Sequence, residues 1–166
     1  MDVELLSREA LREVHSEPYL RKLEAIKSLP EGAHRKLEEE WENDVYVSSD
    51  TYKAALLYAS GIYDCVRKVC ARENSSKIAL ALGRPPGHHA CCGKAMGFCF
   101  LSNVAMAAKM AVKERRARRV LIVDWDIHHG EEGRRALLSL YLNMHRRLDS
   151  VSLSSLISPT LFLTTN

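Results

Sequence analysis

The sequence predicts an α/β fold. Three observations carry this: helical periodicity over residues 51–72, an Ala- and Met-rich helical segment over 102–116, and two apolar runs of strand length on either side of it. Those runs are 77–82 (Lys-Ile-Ala-Leu-Ala-Leu) and 119–123 (Arg-Val-Leu-Ile-Val). Strand, helix, strand makes a βαβ unit, with parallel strands and a right-handed crossover.

Each element has its own signal. Residues 7–15 and 16–28 read as short helices capped by Ser7 and Ser16, with Pro18 early in the second, where its missing N–H costs little. Pro30 and Gly32 interrupt the pattern, 33–42 is polar and helical, and Val45-Tyr46-Val47 is a short β-prone run. Ser49 or Asp50 caps the long helix, whose apolar face is Tyr52, Ala55, Ala59, Ile62, Tyr63, Val66, Val69 and Cys70. Residues 83–97, with Gly83, Pro85, Pro86, Gly87, Gly93 and Gly97, form a long loop.

The 166 residues are close to the ~150 of one domain. A hydrophobic share of 46% with 27% charged residues is that of a globular chain. The net charge of +3 is too small to argue for direct binding to DNA. It is unevenly spread: residues 1–44 hold 7 basic and 12 acidic side chains, residues 45–166 hold 17 and 9. No stretch approaches the ~20 apolar residues of a membrane span. No basic-then-apolar leader opens the chain. The five cysteines have no framework spacing, so reduced thiols in the nucleus or cytoplasm are expected. The basic run Lys113–Arg119 reads as a cationic helix end, with a nuclear localisation signal as the alternative.

Two polar clusters sit where open parallel sheets place their ligands, beyond the carboxyl ends of the strands. In Asp124-Trp125-Asp126-Ile127-His128-His129-Gly130, an extended backbone would turn Asp124, Asp126 and His128 to one side. A carboxylate and an imidazole converging on one point suit a divalent metal such as zinc. The blander reading is a satisfied aspartate beside exposed histidines. In Arg84-Pro85-Pro86-Gly87-His88-His89-Ala90, a stiff loop presents adjacent imidazoles, suited to acid–base work near neutral pH. Adjacent Cys91 and Cys92 lack structural-zinc spacing, and Cys99 reads as a small buried hydrophobe.

These segments, with Gly97-Phe98-Cys99-Phe100 and Asn103-Val104-Ala105, resemble the zinc-dependent histone deacetylases. Trp125 between the aspartates and Arg84-Pro85-Pro86 before Gly87 resemble the class II branch, as do Val14-His15-Ser16, Tyr19-Leu20, Val45-Tyr46 and Thr51-Tyr52. The resemblance implies a three-layer α-β-α fold around a parallel sheet, of the arginase/deacetylase type, incomplete here. It divides the chain into a partial deacetylase-like domain, 4–130, and a divergent tail, 131–166, whose last 19 positions hold eight Ser or Thr.

The resemblance also implies roles. Asp126 and His128 would be zinc ligands, His89 the general base, His88 its partner and Asp124 the group orienting His88. Gly97 and Phe98 would line the tunnel for an acetyl-lysine stem. Potassium would bind near Asp124, Asp126 and His128. The substrate would be an acetylated histone or other acetyl-lysine protein, with corepressor-type protein partners and no membrane. Glu131 stands where the family has the shorter residue that orients the second histidine. The family's third zinc ligand and its transition-state tyrosine are expected further along than Asn166, and neither His145 nor Asp149 has a ligand's context. Two other readings follow: a catalytically inactive fragment or interaction protein, and an acetylpolyamine deacetylase. A binuclear arginase-like centre needs Asp-x-His-x-Asp, and Gly130 stands at the last position.

Overall fold

The computed structural model describes residues 3–41, 44–71, 73, 75–124, 126–128 and 160–164, with Glu31 and 160–164 described by backbone alone. In chain order the elements are α1 (Arg8–Arg12), α2 (Glu17–Ala25) continued by a 3-10 turn (Ile26–Ser28), α3 (Glu31–Glu40), α4 (Thr51–Cys70), α5 (Asn103–Lys113), β1 (Arg119–Val123) and β2 (Thr160–Thr164). The helices fall where periodicity places them. Ser7 Oγ accepts the Ala10 amide and so caps α1. Ser16 precedes α2 without a side-chain cap, and Pro18 lies in the first turn.

The core forms where these helices meet. Leu20, Leu23, Ile26, Ala59 and Met106 are fully buried. Tyr19, Trp41 and Phe100 pack edge-on, with ring centroids 6.2 and 6.1 Å apart. The Tyr19 hydroxyl donates to the Phe100 carbonyl at 2.7 Å, which satisfies a polar tip in an apolar setting. A second cluster joins Tyr63 and Val66 of α4 to Ala107 and Ala111 of α5. The small residues of α5 let the two helices approach closely. No helix among the described residues is long and apolar enough to cross a membrane.

The sheet departs from expectation. β1 pairs with β2 antiparallel, Leu121 opposite Phe162, so the described strands form no parallel βαβ unit. β2 lies within the stretch read as a divergent tail. Residues 77–82 form no strand, and Ile78, Leu80 and Leu82 are 85, 77 and 85% exposed. An apolar run becomes a buried strand only where neighbouring chain pairs its backbone and covers its faces. Here the Ala81 carbonyl accepts the Tyr58 hydroxyl, and the Ile78 carbonyl accepts Ser76 Oγ. Val45–Val47 is likewise not a strand, though its alternation persists: Val45 and Val47 are buried and Tyr46 is exposed.

Candidate active site

The loop 83–97 docks on the start of α5. At Gly87 an added Cβ would lie 1.7 Å from Asn103 Oδ1 and 2.6 Å from the Leu101 carbonyl, so no side chain fits there. Asn103 Nδ2 reaches the Pro85 carbonyl at 3.4 Å. Ala90, just beyond the histidines, is fully buried. Loop residues on both sides of His88–His89 are therefore held by packed structure.

The two imidazoles stack at 4.0 Å between centroids. His88 Nδ1 lies 3.1 Å from Asp124 Oδ2, immediately after β1. A carboxylate only accepts, so His88 carries its proton on Nδ1. This joins the two sequence clusters across 36 positions. The His89 ring lies 6.2 Å from that of His128. Burial lowers the pKa of His89, and the neighbouring His88 lowers it further. The ring is thus neutral at pH 7 and able to take up a proton.

Asp124, Asp126 and His128 do not converge on one point by strand alternation: Asp126 and His128 meet side chain to side chain, while an Asp124 carboxylate oxygen faces His88. Asp124 Oδ1 accepts the Asp126 amide at 3.1 Å, and Asp126 Oδ1 accepts the His128 amide at 2.9 Å. These are successive turns in which an aspartate caps the amide two residues on, a local bond that competes with strand continuation. They leave His128 Nδ1 2.9 Å from Asp126 Oδ1. The His128 amide and then its imidazole hold the Asp126 carboxyl below its usual range. An imidazole nitrogen and a carboxylate oxygen side by side are a donor pair that zinc accepts. No group of three or more His, Cys, Asp or Glu with metal-binding geometry occurs among the described residues. The pair by itself would supply two donors to a divalent ion. Trp125, His129, Gly130, Glu131, His145 and Asp149 lie outside the described residues.

Gly97 and Phe98 both adopt left-handed backbone, φ +53 and +63°. A Cβ on Gly97 would lie 2.4 Å from His89 Cδ2, so glycine leaves the space that the ring occupies. Phe98, which follows Gly97, is 66% exposed. Its left-handed conformation is costly for a residue with a Cβ. Asp44 holds the turn: its Oδ2 accepts the Gly97 amide at 2.7 Å and its carbonyl accepts the Phe98 amide at 3.0 Å. Cys99 is buried, and its thiol, pushed up to about 11 mainly by burial, stays protonated. Sequence reasoning missed Asp44 because its contact spans 53 positions and no motif marks it.

The histone deacetylase domain model matches residues 1–147. The chain belongs to the histone deacetylase family. Its relatives are of the class II, HDA1-related type. Histone deacetylase 6 of Caenorhabditis elegans is 33% identical over 146 residues, which are 86% of this chain and 15% of that protein. Histone deacetylase HDA1 of Saccharomyces cerevisiae is 38% identical over 152 residues, 87% of this chain and 21% of that protein. Polyamine deacetylase HDAC10 of Danio rerio is 43% identical over 119 residues, 70% of this chain and 17% of that protein. The crystal structure of the HDA15 HD domain superposes with a TM-score of 0.69 at 29% identity, covering 82% of this chain and 37% of that one. The fold is accordingly of the α/β arginase/deacetylase type. The chain spans about a fifth or less of the length of these curated relatives. Histone deacetylases are zinc-dependent hydrolases as a family, and acetylated proteins are the substrates the family implies.

Proposed function

We propose that this chain carries the base-and-ligand half of a zinc amidohydrolase site acting on acetyl groups of lysine side chains, in histones or other proteins. The observation that supports it most is the grouping of His89 with two anchored neighbours. These are His88, tied to Asp124 at 3.1 Å, and His128, tied to Asp126 at 2.9 Å.

Asp126 and His128 would hold zinc, which when bound supplies polarisation of the amide carbonyl and acidification of water. Asp124 keeps the His88 proton on Nδ1, so the other nitrogen of that ring is an acceptor. The neutral His89 removes a proton from the attacking water and returns it to the leaving amine. Gly97 leaves room for the His89 ring, and the exposed Phe98 ring offers an apolar wall to an aliphatic lysine stem. Potassium would lie near Asp124, Asp126 and His128. Corepressor-type partners and a nuclear or cytoplasmic location accompany this reading.

A polyamine reading draws support from the 43% identity to a polyamine deacetylase. The inactive-fragment reading draws support from the metal site as far as it is described, where Asp126 and His128 are two donors without a third among the described residues. One experiment separates them. Purified chain with added zinc is assayed for acetate release from an acetyl-lysine peptide and from an acetylpolyamine. Peptide turnover abolished by His89→Ala is the expected result. Preference for the polyamine would favour the second reading, and zinc binding without turnover of either would favour the third.

A further inference from the structure

Both anchors of the His88–His89 loop lead back to one buried side chain that the proposed chemistry does not use. His15, between α1 and α2, is 2% exposed. Its Nε2 accepts the Ser102 amide at 2.9 Å, across 87 positions. A backbone amide can only donate, so Nε2 is the bare nitrogen and the proton sits on Nδ1. Nδ1 is buried without a hydrogen-bond partner, and the backbone of Cys91 and Cys92 is the other group that bears on the ring. The next residue reinforces this contact, because the Ser16 amide donates to the Cys92 carbonyl at 2.9 Å. The Tyr19 ring packs on the imidazole at 5.4 Å.

The two sides of the ring thus meet the two ends of the loop. Cys91 and Cys92 follow His89 directly. Ser102 precedes Asn103, whose side chain packs on Gly87 and reaches the Pro85 carbonyl on the other side of the pair. We propose that His15 is a positioning residue that pins both ends of the 85–92 loop, and through them sets the registration of His88 on Asp124. Its functional meaning rests on the reading of His88–His89 given above, but its test needs no turnover.

The test reads imidazole and amide resonances of the isotope-labelled full chain at neutral pH. In the unsubstituted protein, His15 is expected as the Nδ1–H tautomer, with a scalar coupling across the bond from the Ser102 amide to Nε2. His88 is expected to show a low-field Nδ1–H proton donated to Asp124. His15→Gln, which can still accept from Ser102, should keep the His88 proton, and His15→Leu should lose it. Ile26→Val, a core truncation away from the loop, supplies the comparison for a merely structural loss and should keep it. The proposal is overturned if His15 carries its proton on Nε2, if His15→Leu retains the His88 signal, or if Ile26→Val loses it as well. Should His15→Leu not fold, the tautomer and coupling in the unsubstituted chain still decide. Absence of deacetylation would bear on the proposed function and leave these signals unchanged.

Discussion

The helical half of the molecule and its strand end are held by different means. Around α2, α4 and α5, side chains such as Leu20, Leu23 and Met106 are fully buried, and each helix satisfies its own backbone. At the strand end, 77–82 lies exposed without a ladder, and Asp126 and His128 are held by local turns. The proposed site straddles the boundary. His88 and His89 sit on a loop pinned to the helical half, while Asp126 and His128 belong to the exposed edge. A helix needs only its own neighbours, whereas a parallel strand needs partners on both sides.

The largest expected effect separates the two regions by stability. Leu23→Ala should cost about 2–5 kcal/mol, read from urea midpoints. Leu80→Ala should fall within about 0.5 kcal/mol, as an exposed substitution does. A large loss at Leu80 would show that 77–82 is packed in solution and break the comparison.

Acid should loosen the helical half through His15. Burial lowers its pKa from 6.5 to about 4, so the unfolded chain binds the extra proton first. That contribution is fully present above pH 6.5 and declines as pH falls toward 4, by on the order of 3 kcal/mol. Groups that bear on the ring are the Tyr19 phenol and the Cys91 and Cys92 backbone. Glu17, held down by Arg12, Arg8 and Arg21, acts in the same direction at lower pH. Urea midpoints at pH 7.5 and 4.5 measure the sum, and His15→Gln should flatten the part between pH 6.5 and 4.

Smaller effects sharpen the boundary. Asp44→Ala removes a charge-assisted bond to the Gly97 amide and should cost about 1.5–3 kcal/mol, with Asp44→Asn recovering part of it. Phe98→Gly should leave stability unchanged or raise it by up to about 1 kcal/mol, because it relieves a left-handed residue whose ring is exposed. It should also weaken use of an acetyl-lysine peptide if Phe98 lines the channel.

Legibility in the sequence follows the same division. The α4 face of Ala55, Ala59, Tyr63 and Val66 was readable because periodicity is local, and the structure buries those residues. The run 77–82 has strand composition, but composition carries no information about whether a partner is adjacent. The family resemblance implies that Asp124 orients His88, and the two lie 3.1 Å apart. Asp126 and His128 meet through Asp-capped turns and not through the pleat alternation that the sequence pattern suggests. Asp44 and His15 act across 53 and 87 positions, and no local pattern announces such contacts.

The assignment of Asp126 and His128 as a metal pair can be tested by titrating zinc into the chain calorimetrically. One zinc per chain is expected, with affinity falling by roughly tenfold or more in Asp126→Ala and in His128→Ala. It should hold steady in Cys92→Ser, whose thiol lies outside the proposed ligand set. Unchanged affinity in both ligand variants would contradict the site.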